Sequence, residues 1–166
     1  MTVTKKSEEV GRALVLTVST RASAGVYADK SGPVIADALT GLGFEVTGPV
    51  VIPDGDPVGV ALRGAVDDDY AVVVTTGGTG INPNDHTPEQ TRAVLEREIP
   101  HLAAQIARYG VDHGVPTAVL SRGLVGTAGR TLVINLPGSS GGVRDGMSVL
   151  APVLRHAVSQ LRGGDH

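Results

Sequence analysis

Three kinds of residue in this chain have the type and spacing to do chemistry: clustered glycines, isolated aspartates between apolar runs, and arginines beside them. Gly77 and Gly78, with Gly80 beyond, lie in the run Thr75-Thr76-Gly77-Gly78-Thr79-Gly80. Glycines this close let successive backbone N–H groups face an anion with no Cβ in the way, which suits a phosphate or carboxylate; the same residues also make a plain tight turn. No Lys-Ser/Thr pair follows the last glycine, so this is not a Walker loop, and the dinucleotide fingerprint belongs after a first strand. A second cluster, Pro137-Gly138-Ser139-Ser140-Gly141-Gly142, leads into a helical pattern, where unpaired N–H groups and the positive end of the dipole favour anions; an ordinary N-cap connection explains it equally.

Asp54 and Asp85 stand in two different loops, each expected to follow a strand. Hard cations are held by one or two carboxylates plus substrate phosphate oxygens, so the pair suits magnesium beside phosphate cradles; turn chemistry for Asp54 and helix capping for Asp85 are the plainer alternatives. Arg122, Arg130 and Arg144 lie in or beside these loops and can neutralise further phosphate charge or simply be solvated surface. His86, His101, His113, His156 and His166 lack the paired spacing of a helical metal site and read as surface residues. Ser121 and Ser139 lack the context of a nucleophile elbow, so hydrogen bonding to substrate is their expected role.

The elements that must position these residues alternate. Uninterrupted apolar runs at Ala13 to Val18, Ala71 to Thr75 and Thr131 to Leu136 predict strands covered on both faces, and Phe44 to Ile52, broken by Gly48 and Pro49, predicts an edge or bulged strand. Pro33 opens a helix ended by Gly43, and Asp56-Pro57 has the form of an N-cap with proline at the first helical position, for a helix reaching about Val66. Thr87 to Gln90 reads as a capping box opening a helix that Pro100 restarts or kinks, continuing to Tyr109 and stopping at Gly110. Pro116 to Ser121 is expected to be extended, and Val143 to Leu161 forms one closing helix.

This order predicts an α/β three-layer sandwich, with a mostly parallel sheet and helices on both faces. One domain over 12–162 is expected, with a frayed start at 1–11 and a tail at 163–166. Ligands of such sheets bind beyond the carboxyl ends of the strands, which gathers the loops Ser19 to Ser31, Pro53 to Asp56, Thr75 to Asp85, Ser121 to Arg130 and Pro137 to Gly142 on one edge.

Composition narrows the function classes. The 166 residues include 14 Lys and Arg against 17 Asp and Glu, and only Phe44, Tyr27, Tyr70 and Tyr109 are aromatic, which disfavours a nucleic-acid surface. With no cysteine there is no disulfide, thiolate metal site or cysteine nucleophile, and no apolar run approaches a bilayer span, so a cytoplasmic protein is expected.

The runs Thr75 to Gly80, Asp85-His86-Thr87-Pro88, Leu120-Ser121-Arg122 and Asn135-Leu136-Pro137-Gly138, with Ile52-Pro53-Asp54, resemble the molybdopterin-binding Mog/MoaB family over roughly 12–162. The Pro-Asp and Asp-x-Thr-Pro motifs bring it nearest the molybdopterin adenylyltransferase branch. The resemblance implies magnesium-dependent adenylylation of molybdopterin by ATP, releasing pyrophosphate. Asp54 and Asp85 would be the catalytic, metal-associated carboxylates. Ser19, Thr76, Gly77, Gly78, Thr79, Gly80, Ser121, Arg122, Gly138 and Ser139 would bind substrate. It also implies a homotrimer and suggests a molybdenum-insertion partner; the alternative is a non-catalytic MoaB-like binding or scaffold protein. Many relatives carry Ser-Asp after the first strand, whereas this chain has Ser19-Thr20.

Overall fold

The computed structural model describes residues 10–165, so most of the expected frayed start, and His166, lie outside the described residues. Six strands form one sheet in the order β2-β1-β3-β6-β5-β4. The parallel part comprises β2 (Glu45–Ile52), β1 (Arg12–Val18), β3 (Val72–Thr76) and β6 (Thr131–Leu136); β5 (Val125–Ala128) and β4 (Arg97–Glu98) complete it antiparallel.

Strand alternation explains why the central runs are apolar throughout. Ala13, Val15, Val72, Val74, Leu132, Ile134 and Leu136 enter one core, with α2 (Gly32–Gly41), α6 (Ser140–Leu150) and α7 (Leu154–Leu161) packed there and α5 (Pro100–Asp112) at its margin. Leu14, Leu16, Val18, Val73 and Val133 point the other way, into a second core closed by Val58, Leu62 and Ala65 of α3 (Asp56–Asp67). A sheet buried on both faces needs apolar residues at odd and even positions alike. The expected three layers follow.

β1 is flanked by β2 on one side and β3 on the other, so the connections leaving β1 and β3 diverge. A crevice opens at such a switch point beyond the carboxyl ends of the strands. β2 is the edge strand expected, and its pairing with β1 shifts register between Leu14 and Leu16, opposite Gly48-Pro49.

Several local expectations are corrected. The helix at Thr87 is short, α4 (Thr87–Arg92), because the next segment joins the sheet as β4: Glu96 N–H donates to Thr127 O (2.8 Å) and Ile99 N–H to Val125 O (2.7 Å). α5 then runs past Gly110 to Asp112. Gly110 is a packing position, where a Cβ would stand 2.7 Å from the Cβ of Ala118. Pro116–Leu120 is a 3-10 turn instead of an extended stretch, and the closing helix breaks into α6 and α7 around Ala151-Pro152-Val153, where proline removes a helical donor. Asp56 is the first residue of α3, with Gly55 at the N-cap (φ 96°), a backbone angle that favours glycine. Among the described residues, no helix is long and apolar enough to cross a membrane.

Candidate active site

The glycine loop leaves β3 between β1 and β6. Thr76, buried at the end of β3, donates its hydroxyl to Pro137 O (2.7 Å), and Gly77 N–H donates to Leu136 O (3.1 Å), which ties the first glycine cluster to the second. Gly77 and Gly78 both have positive φ (95° and 69°), a sequence of angles that side chains resist. A Cβ on Gly78 would collide with Asp54 Oδ2 and Thr87 Oγ1, and one on Gly80 would stand 2.8 Å from Asp85 Oδ2. Both candidate carboxylates therefore flank this one loop, two residues apart along it.

Each carboxylate is held by backbone. Asp54, from the β2–α3 turn, accepts Gly55 N–H (2.7 Å) and the Thr87 hydroxyl (3.2 Å) at Oδ1 and His86 N–H (3.0 Å) at Oδ2. Asp85 accepts Asn82 N–H at Oδ2 (3.1 Å). The expected capping box does not form: Asp54 takes the Thr87 hydroxyl, His86 is the N-cap, and Gln90 Nε2 reaches Asp56 Oδ1 (3.4 Å). Thr20, where many relatives carry aspartate, touches the backbone of Asp54, its hydroxyl oxygen accepting Asp54 N–H (3.4 Å). Among the described residues no group of three or more His, Cys, Asp and Glu is gathered for a metal. The oxygen-only pair nevertheless fits magnesium, which takes few protein ligands beside phosphate oxygens, and Oδ1 of Asp85 accepts no donor within the described protein.

Arg122 organises the loop. Its backbone N–H donates to Thr79 O (2.8 Å), Nε to Gly80 O (2.8 Å) and Nη2 to Asp85 O (3.0 Å), while Nη1 pairs with Glu89. The arginine holds Glu89 below the usual carboxylate range. Ser121 sits alongside, its hydroxyl donating to Thr79 Oγ1 (3.4 Å). Ser139 is the N-cap of α6, accepting Gly142 N–H at Oγ (3.1 Å). Gly138 crosses the glycine loop so closely that its Cβ would stand 3.3 Å from Gly77 Cα. Ser19 caps the short helix α1 (Thr20–Ser23), accepting Ala22 N–H (3.1 Å).

Two cavities meet at Gly138 and Ser139. The larger, about 580 Å³, also touches Gly78, Thr79, Gly80, Asp85 and Ser121; the smaller, about 490 Å³, touches Ser19, Thr76 and Gly77. Sequence reasoning thus names residues of both. The structure removes Arg130, which pairs with Asp69 (3.5 Å) before β3, at the opposite end of the sheet, and leaves Arg144 exposed on α6. The Ser121 to Arg130 segment is no single strand-following loop either: β5 occupies it and runs antiparallel, so only its start reaches the site.

Three contributions were missed. Asp29 accepts the Thr17 hydroxyl (2.7 Å) and the N–H groups of Ser31 (3.2 Å) and Gly32 (3.0 Å), fixing the rim of the smaller cavity; an aspartate two residues before Ser31-Gly32-Pro33 is a legible capping signal. Buried Asn135 donates to Thr75 Oγ1 and Thr91 Oγ1 (each 3.0 Å) and accepts Leu124 N–H (3.1 Å), joining β3, α4 and the approach to β5. The apolar wall supplied by α5 and the 3-10 turn had no signal beyond ordinary amphipathicity.

A family model described as "Probable molybdopterin binding domain" matches residues 14–156. The chain belongs to the molybdopterin-binding domain family. A solved structure of MogA superposes with a TM-score of 0.88 at 57% identity, over 90% of this chain and 99% of that one. The Mog protein of Mycobacterium ulcerans gives 0.87 at 51% identity, over 92% and 97%. The molybdopterin adenylyltransferase of Helicobacter pylori strain J99 is 34% identical over 90% of this chain and 86% of its own length. Other curated relatives are longer, and this chain spans from 23% to 50% of their length. Within this molybdopterin-binding family the resemblance of the five short motifs extends to the whole fold.

Proposed function

We propose that this protein is a molybdopterin adenylyltransferase of molybdenum cofactor biosynthesis. The observation that carries the reading is the pair Asp54 and Asp85 against one glycine loop, with Asp85 also lining the larger of two adjoining cavities that share a second glycine cluster. The likeness to the named adenylyltransferase and to MogA supports it.

The reaction joins two anions. An oxygen of the molybdopterin phosphate forms a bond to the α-phosphorus of ATP, the bond from that phosphorus to the bridging oxygen breaks, and pyrophosphate leaves with its electron pair. Two phosphorylated molecules repel, so alignment and charge screening supply most of the rate, and no covalent enzyme intermediate is needed. Backbone N–H groups of Gly78, Thr79 and Gly80, and of Ser140 and Gly141 at the α6 start, bind phosphate oxygens without reorganising. Ser121, Ser139 and Ser19 add hydroxyl contacts. Arg122, whose donors are engaged by Gly80, Asp85 and Glu89, acts by holding the loop. Asp54 and Asp85 would hold magnesium, which would supply screening of phosphate charge there.

The protein works in the cytoplasm as a homotrimer and hands its product to a molybdenum-insertion partner. The test is pyrophosphate release from molybdopterin, ATP and magnesium. Asp54→Asn and Asp85→Asn should each abolish turnover while molybdopterin still binds; wild-type protein that binds molybdopterin and releases no pyrophosphate would leave a non-catalytic carrier.

A further inference from the structure

The larger cavity has chemically different ends. One is backbone: Gly78, Gly80, Gly138 and the start of α6. The other is the apolar wall of α5 and the 3-10 turn, including Ile106, Ala107, Ala118 and Leu120. Asp145 of α6 lines the same space. It is half-buried, and among the described residues it forms no hydrogen bond or ion pair.

No structural duty accounts for this carboxylate. It stands beyond the first turn of α6, where the helix dipole no longer favours an acid much. Gly141, Gly142 and Asp145 share one helical face, three and four positions apart, and all three line the cavity. The glycines leave that face bare, so Asp145 is the first side chain along it. Asp145 borders a cleft whose other wall is apolar, and it has no donor within the described protein, so a ligand in the cleft can supply the donors its oxygens accept.

Its chemistry selects the donors. An ionised carboxylate only accepts, and its two coplanar oxygens match a fork of two parallel N–H groups. At about 1.5 Å of rise per residue, the six positions from Ser139 to Asp145 span about 9 Å, the scale of a fused heterocycle and a short linker ending in phosphate.

We infer that Asp145 is the specificity-determining contact for the heterocycle: its carboxylate accepts the 2-amino N–H and the neighbouring ring N3–H of a 2-amino-4-oxopyrimidine edge while the phosphate occupies the glycine cradle. This rests on the molybdopterin reading of the site and adds to it the group that tells a pterin from other flat rings. The ring lies against the apolar wall, and Asp145 excludes rings that present a carbonyl at the amino position, because two acceptors would then face each other without a proton between them.

The test measures equilibrium binding without ATP or magnesium. The probes are 6-hydroxymethylpterin phosphate and the corresponding lumazine phosphate, whose 2-amino group is replaced by oxygen. Wild-type protein should bind the pterin at least about tenfold tighter, as sites built around a polar pairing reject the analogue lacking it. Asp145→Asn should bind the pterin about tenfold weaker and lose the preference, with competition by inorganic phosphate unchanged; its melting curve checks that it folds. Equal binding of both probes by wild-type protein, or a preference retained in Asp145→Asn, overturns the assignment of Asp145 alone. Wild-type protein that binds neither probe overturns the pterin reading, and this contact with it.

Discussion

Asp54 Oδ2 lies 3.0 Å from the backbone nitrogen of His86 and accepts its N–H, so a carboxylate from the β2–α3 turn anchors the start of α4. A residue proposed to act on phosphate is therefore also a joint between distant segments. The two roles separate by measurement. Asp54→Asn should lower stability by about 1 kcal/mol, the usual effect of weakening a cap, as well as abolish turnover. Asp85→Asn should abolish turnover with a smaller stability loss, since Asp85 accepts one bond from a neighbouring loop residue. Chemical denaturation alongside pyrophosphate release distinguishes them.

Thr87 donates the hydroxyl that Asp54 accepts beside two backbone N–H groups, and it is fully buried. Thr87→Val keeps the shape and removes the hydroxyl, leaving Asp54 with two backbone donors. A destabilisation of about 1 kcal/mol is expected. Turnover should fall more than molybdopterin affinity, because the carboxylate's orientation is what the hydroxyl sets. An unchanged rate would mean that His86 and Gly55 orient Asp54 without it.

Gly78 and Gly64 should respond oppositely to alanine. At Gly78 the positive φ and the collision with Asp54 and Thr87 act together, and Gly78→Ala should cost about 1–3 kcal/mol and disrupt the site. Gly64 lies exposed inside α3, with nothing within 4 Å of its Cβ position, so Gly64→Ala should stabilise by about 0.5–1 kcal/mol with activity unchanged. Thermal melts of the two variants give the signs.

The Arg122–Glu89 pair predicts an acid-sensitive component of stability. Arg122 lowers the Glu89 carboxyl's folded-state value, so the contribution is present above the ordinary glutamate range and is lost as pH falls through the depressed value. The pair is exposed, and a loss of under about 1 kcal/mol is expected. Glu89→Gln should remove that pH dependence and destabilise above the glutamate range only; an acid-unfolding profile matching the wild type would show the pair to be inert.

The apolar runs of β1, β3 and β6 were legible because a strand covered on both faces must be apolar at every position, whatever covers it. The glycines of the β3 loop and the order of five short motifs were legible too, since backbone angles and family motifs are local properties. β5 was not: four residues containing a glycine lie inside a glycine-rich stretch, and only pairing with β6 and β4 makes them a strand. The end of α4 was likewise decided by β4 pairing at Arg97 and Glu98.

At the site, the sequence by itself determined that Asp54 and Asp85 stand in strand-following loops, and so that they were candidates for one edge, but it misplaced most of Ser121 to Arg130. It did not determine what those residues touch. That Asp54 anchors α4, that Arg122 uses its guanidinium to clasp the glycine loop, that Arg130 faces the far end, and that Asp145 shares a cavity with residues of α5 were decided by tertiary structure. The reason is physical: each is a contact between segments far apart in the chain, and sheet order and strand direction, which no local pattern encodes, choose which ends meet.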